Sequence, residues 1–181
     1  RCQYLSHTEG RITVIDVALT YLQADLCVLP ADLQAKRPTL KGWKSFQTHR
    51  PIELQVRQWF GPQTDAICIV TGTISGNLEV LDFDCEASQF EDWVALIPAE
   101  IIARLVMERS QSGGRHVIYR CATPVCGSMK LSQIKRPDKI DTLIETRGEG
   151  GLFLCAPTTG YVLEQGSLTD LPVLTTEERE C

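Results

Sequence analysis

The spacing of hydrophobic and polar positions changes along the chain, and each change predicts an element. Ile12, Ile15, Ala18, Leu19 and Leu22 recur at helical spacing, which predicts a helix over residues 12–24. Leu26–Pro30 follows as a short apolar strand. Residues 31–50 are polar and broken by Pro38 and Gly42, the pattern of a loop. Pro51 suits the first turn of a helix over 52–60, with Leu54, Val56, Trp59 and Phe60 as its apolar positions and Gly61-Pro62 as its end. Ala66–Thr71 and Asn77–Asp84 are apolar and β-branched, and the turn formers between them predict a hairpin. Two short helices are expected over 88–96 and 99–103, parted by Pro98. A second strand pair, Leu105–Arg109 and Arg115–Arg120, flanks Ser112-Gly113-Gly114. Residues 121–140 are polar and read as irregular. Thr142–Thr146, Leu152–Ala156 and Tyr161–Leu163 are then short strands between glycine-containing turns. The sum is an α+β chain, one mainly antiparallel sheet with helices packed against it.

Length and charge narrow the picture. A chain of 181 residues suits one domain with a sizeable core. It begins at Arg1 rather than Met, and we expect it to be a piece of a longer protein. The most apolar stretch, residues 12–30, is interrupted by Asp16, Gln23 and Asp25, so no membrane partner is expected. Nothing resembles a signal peptide, and the expected location is cytoplasmic. Of the eight cysteines, at 2, 27, 68, 85, 121, 126, 155 and 181, several lie in apolar strands and behave as small hydrophobes. Reduced thiols are expected there rather than a disulfide framework. The net charge of −5 argues against a uniformly basic nucleic-acid binder. Its distribution is uneven, however. Lys36–Arg50 holds five basic residues and no acid, and Arg104–Arg147 holds nine against four. Two basic segments in an acidic chain point to a local polyanion site or, equally, to scattered solvated charge.

Three segments carry candidate chemistry. In Val80-Leu81-Asp82-Phe83-Asp84 the two acids share one face of a strand, with Leu81 and Phe83 on the other. Paired carboxylates repel unless a cation lies between them, and Mg²⁺ or Mn²⁺ favours such oxygen ligands. The plainer reading is two acids facing water at a strand end. In Ser112-Gly113-Gly114-Arg115-His116 the glycines allow close backbone approach to a phosphate, or simply form a turn. In Glu145-Thr146-Arg147 an acid and an arginine share a strand face, as a metal ligand beside a triphosphate contact or as a surface ion pair. In the basic loop, Trp43 stands between Lys41 and Lys44, after Lys36-Arg37; it can stack on a base or plug the edge of the core. Cys121 and Cys126 have no second ligand pair, since His7 and His49 are remote in sequence, so zinc is not expected.

Taken in order, these pieces resemble the N-terminal domain of bifunctional DNA primase/polymerases, the prim-pol branch of the archaeo-eukaryotic primases. The resemblance runs from Val28-Leu29-Pro30 through Lys36-Arg37-Pro38, Gly42-Trp43-Lys44, Ile69-Val70-Thr71-Gly72, Val80–Asp84, Ser112–His116 and Glu145–Gly151 to Ala156-Pro157. It implies an RRM-like, mainly antiparallel catalytic sheet with flanking helices over 66–175, joined to an N-terminal α/β unit over 12–65, as one catalytic domain over 1–181. It implies that Asp82, Asp84 and Glu145 bind two Mg²⁺ or Mn²⁺ ions, with Glu145 standing where Asp is commoner. His116 would contact the phosphates of an incoming nucleotide, joined by Ser112, Gly113, Gly114, Arg115 and Arg147. Lys36, Arg37, Lys41, Trp43 and Lys44 would meet nucleic acid. The implied partners are a DNA template and primer, dNTP or NTP, and a helicase domain in the full-length protein. The implied activity is two-metal nucleotidyl transfer to a templated 3′-hydroxyl. A metal-dependent nuclease and a non-catalytic nucleotide or single-strand DNA binder are the alternatives.

Overall fold

The computed structural model describes residues 12–181, so Cys2 and His7 lie outside the described residues. Helix α1, Val14–Gln23, begins at Thr13, whose hydroxyl accepts the Asp16 amide while the Asp16 carboxylate accepts the Thr13 amide. That reciprocal cap satisfies two of the amides a helix start leaves orphaned. Strand β1, Cys27–Asp32, follows, then a two-residue strand β2, Arg37–Pro38, inside the segment expected as a loop. A 3-10 turn at Trp43–Gln47 leads to α2, Glu53–Trp59, and to β3, Ile67–Val70.

After Gly72 come β4 (Leu78–Phe83), α3 (Phe90–Leu96), α4 (Ala99–Ile102) and the β5–β6 hairpin, Val106–Arg109 with Arg115–Cys121. A second hairpin, β7 (Lys130–Lys135) with β8 (Ile140–Arg147), is followed by β9 (Leu152–Cys155), β10 (Val162–Gln165), β11 (Val173–Leu174) and α5 (Thr176–Glu180).

These strands form two sheets rather than the single sheet expected. One has the order β2-β1-β3-β9, and the other β10-β5-β6-β4-β8-β7, with β11 beside the end of β6. Every pairing is antiparallel except β6–β11, and the fold is α+β. The hairpin expected between 66–71 and 77–84 does not form. β3 pairs with β1 and β9, whereas β4 pairs with β6 and β8; only a bridge between Gly72 and Leu78 links the two. The reason is burial. Ile67, Cys68, Ile69 and Val70 are all fully buried, so β3 needs a cover on each face and a strand on each edge. The link is locked in place by Ser75, whose hydroxyl donates to Val70 O and accepts the Cys27 amide. The segment 121–140 is likewise more regular than expected. β7 is exposed along almost its whole length, so no burial alternation marks it in the sequence.

Alternation distributes each strand between cores. Val28, Ile67, Ile69, Phe153 and Cys155 of the first sheet meet Leu78, Val80, Val106 and Ile118 of the second in one shared core, joined by α1 and α2. The opposite face of the second sheet carries Phe83, Met107, Val117 and Tyr119 under α3 and α4. Glu79 lies in that face, buried to 1% exposure, and is fully matched: Arg179 of α5 donates to both its oxygens at 2.6 and 2.8 Å and Tyr119 Oη donates at 2.9 Å. Removing Arg179 leaves a buried charge without its partner. Arg179→Met should cost about 3 kcal/mol in urea unfolding. The Glu79→Leu/Arg179→Met double variant should regain a good part of that loss, since neither charge is then buried alone.

Candidate active site

The inner face of the larger sheet changes character along its strands. On β4 the inward residues read Leu78, Val80, Asp82; on β6 they run back as Ile118, His116; on β5, Val106 is followed by Glu108. The first members of each series fill the shared core. The last members form a row at its rim. Register places Glu108 opposite His116, His116 opposite Asp82, Asp82 opposite Glu145, and Glu145 opposite Lys130. Residues directly opposite on neighbouring strands project from the same face. Five ionisable side chains from five strands therefore stand side by side.

Asp84 joins the row from the end of β4, where its amide donates to Leu143 O. The chain then turns through Cys85, Glu86 and Ala87, all at positive φ. Gly114 lies beside this strand end because a Cβ there would stand 2.4 Å from Phe83 O; only glycine permits so close an approach. Gly113, at φ +83°, makes the turn itself.

The carboxylates of Asp82, Asp84 and Glu145 converge, with one oxygen of each within 4.8 Å of the others. Arg147 reaches back into this cluster, donating from Nη2 to Asp82 Oδ2 at 2.9 Å and pairing with Glu145 Oε1 at 2.5 Å. Three carboxylates against one guanidinium leave negative charge uncompensated. Burial pushes the Asp84 carboxyl above its ordinary value and the Asp82 charge pushes it further, against pulls from Arg147, Lys36 and His116. Burial likewise raises Glu145; Arg147 opposes it, and Asp82 and Asp84 add to it. Burial works against the Arg147 charge, yet the surrounding carboxylates outweigh it and hold the guanidinium above its usual value. Such a group of hard oxygen donors, short of positive charge, fits a divalent cation.

His116, 5% exposed, is held from both sides. Nδ1 lies 3.0 Å from Glu108 Oε1 and Nε2 lies 3.6 Å from Asp82 Oδ1. Glu108 is completely buried, and its second oxygen accepts the Ala156 amide at 2.6 Å. Phe153 meets the imidazole edge-on at 5.5 Å, and Tyr161 packs tilted at 5.9 Å. The smaller sheet, through β9 and the turn after it, thus supports the histidine of the larger one.

A cleft of about 360 Å³ opens over this row, lined among others by Lys36, Trp43, Asp82, His116, Arg147 and Tyr161. Asp84, Ser110 and Ser112 line it as well. Of the residues singled out in the sequence, the structure brings together Asp82, Asp84, His116, Glu145, Arg147, Ser112, Lys36 and Trp43. It does not bring Arg115 there. That side chain alternates to the other face, pairs with Glu164 at 3.1 Å and lies over the Phe90 ring. Gly113 and Gly114 shape the turn, and the Gly113 amide is engaged by Ser110 O. Arg37, Lys41 and Lys44 are exposed around the Trp43 turn and line no part of this cleft. Cys121 is buried with its Sγ 3.9 Å from Glu79, and Cys126 is exposed. Sequence reasoning missed Glu108, Tyr161 and Phe153. Glu108 was within reach, because counting outward from the Ser112 turn pairs residue 108 with 116.

A carboxyl raised in the folded state binds its proton more tightly than in the unfolded chain. Its contribution to stability therefore falls as pH rises through its titration range, and a cation that needs the deprotonated ligands offsets the loss. Mn²⁺ should raise the unfolding temperature more at neutral pH than near pH 5. A concentration 100-fold above its dissociation constant should add about 2.7 kcal/mol. Asp82→Asn/Asp84→Asn should abolish the effect.

Two comparisons bear on what this cluster belongs to. No curated protein matches the chain. The family model described as bifunctional DNA primase/polymerase, N-terminal, matches residues 18–172, which include every residue of the charged row and nearly all of both sheets. The chain belongs to the bifunctional DNA primase/polymerase N-terminal domain family, a family of DNA primase/polymerase-type nucleotidyltransferases.

Proposed function

We propose that this domain extends a DNA-templated 3′-hydroxyl with nucleotides taken from dNTPs or NTPs. One observation carries the reading: three converging carboxylates stand beside His116 and Arg147 at the mouth of a cleft that also holds Lys36 and Trp43. Asp82, Asp84 and Glu145 are the residues to hold two Mg²⁺ or Mn²⁺ ions, which when bound supply charge neutralisation on the triphosphate and lower the pKa of the attacking hydroxyl.

The chain's own groups do the rest. Arg147 neutralises charge that builds on the phosphates, and Lys36 adds a second cation in the same cleft. His116, with Nδ1 engaged by Glu108, presents Nε2 to the cleft, and in its protonated form donates there to a phosphate oxygen. Glu108 acts as a positioning residue, since among the described residues its hydrogen bonds go to His116 and the Ala156 amide. Trp43 offers a face for a base, and the exposed Lys41 and Lys44 beside it attract the template backbone.

Primer extension tests the reading directly. Asp82→Ala/Asp84→Ala should reduce extension of a labelled primer by at least about 10³-fold, the scale of losing metal-held transition-state stabilisation. A strand shortened by the wild-type protein when no nucleotides are supplied would instead identify a nuclease. Glu108→Gln should raise the KM for nucleotide by about tenfold or more while leaving the Mn²⁺-induced rise in unfolding temperature unchanged. An equal loss of both would mark Glu108 as merely structural.

A further inference from the structure

The hairpin of β7 and β8 has a surface unlike the rest of the molecule. β7 is the end strand of the larger sheet, so one of its edges is unpaired among the described residues. The hydrogen bond from the Asp84 amide to Leu143 O lies just beyond the β4–β8 pairing, and residues 133–142 continue past it as a two-stranded ribbon. Arg136 and Lys139 close the ribbon tip around Pro137-Asp138, with the Arg136 amide donating to Lys139 O at 2.8 Å.

Two properties coincide on this ribbon. The first is charge. Across β7 and β8, Lys130, Lys135, Arg136, Lys139 and Arg147 outnumber Asp138, Asp141 and Glu145, in a chain whose net charge is −5. Arg136 and Lys139 both hold Asp141, yet their side chains remain 52% and 70% exposed; Lys130 and Lys135 enter no ion pair among the described residues. The second is apolar exposure. Met129, Leu131, Ile134 and Ile140 are four of the ten exposed large hydrophobics among the described residues, gathered within twelve positions. Such grouping marks an interaction surface. Basic and apolar side chains exposed on one ribbon match a sugar–phosphate backbone, and a two-stranded ribbon is narrow enough to follow a duplex groove.

Continuity with the carboxylates identifies the strand. A second cleft, about 580 Å³, opens on the other side of the cluster and is lined by Asp84, Glu145, Lys130, Ile140 and Thr142 among others. The cluster therefore lies between two openings. One contains His116, Arg147 and Lys36, the groups suited to a triphosphate; the other leads along the ribbon. We propose that the β7–β8 ribbon is the docking surface for the duplex of template and growing strand, gripped through its backbone without regard to sequence. The inference rests on the nucleotidyl-transfer reading of the site, because that reading puts the 3′-hydroxyl at the carboxylates.

The test is binding of a primer–template duplex, followed by fluorescence anisotropy across a salt series. In the triple variant Lys135→Gln/Arg136→Gln/Lys139→Gln, affinity should fall by roughly tenfold or more, and the slope of log affinity against log salt should shrink by about 2–3, the value for three lost phosphate contacts. Leu131→Ser should weaken duplex binding with the salt slope unchanged. In both variants the affinity for dNTP with Mn²⁺ should match wild type, and primer extension should show a raised KM for DNA with kcat retained. Wild-type affinity and slope in the triple variant, with wild-type extension intact, would overturn the ribbon inference alone. So would a loss confined to single-stranded DNA. Absence of primer extension by the wild-type protein would instead overturn the nucleotidyl-transfer reading.

Discussion

A charge imbalance stands at the rim of the apolar core, and the site is organised around it. Asp82 is 8% exposed and stands one step beyond Val80, a residue fully inside the core shared by both sheets. An ionised carboxylate there is costly unless it is matched. Antiparallel register supplies the neighbours: His116 on one side, Glu145 on the other, with Glu108 and Lys130 completing the row. Two of those neighbours are themselves acids, and Asp84 adds a third carboxylate to the Asp82–Glu145 pair. Arg147 meets part of that demand. The remainder calls for cations.

The same strand shows the contrasting solution three residues earlier. Glu79 points to the opposite face of β4 and is more deeply buried than Asp82, but Arg179, Tyr119 and the Cys121 thiol satisfy it within the protein. Nothing further is needed there, and the result is a fixed tether for α5. Across β4, the carboxylates outnumber their guanidinium and open onto two clefts. Matched burial yields structure, and unmatched burial yields a site.

The division of labour between the sheets follows from this. The larger sheet supplies the row. The smaller sheet supplies the supports: β9 brings Phe153 against the imidazole, the Ala156 amide holds Glu108, the β1–β2 turn brings Lys36 to the cleft wall, and the 3-10 turn before α2 brings Trp43. The Trp43 turn is itself anchored by Gln47, which donates to the carbonyl of Gly150, the residue directly after Glu149, at 2.7 Å. Glu149 in turn accepts the Thr73 amide and hydroxyl. The glycine-rich segment after β8 therefore ties the basic loop to the crossover between sheets.

Local features of this protein were legible in its sequence. Periodicity located α1, α2, most strands and the β5–β6 hairpin, because short-range patterns reflect which face each element buries. Two-residue spacing put Asp82 with Asp84, and Glu145 with Arg147, on common faces. Pairing across distance was not legible. β3 and β4 are neighbours in sequence and each could have served the other as a partner, yet two-sided burial of β3 sends it to β1 and β9. β7 carries no burial pattern because nothing among the described residues covers it, so its strand character comes from its pairing with β8. Arg115 and His116 are adjacent in sequence, and the pleat sends one to Glu164 and the other to Asp82. The residue types needed for the chemistry are thus set by the chain. Their assembly into one row was decided by strand register, which depends on the whole sheet and on the core that the second sheet closes.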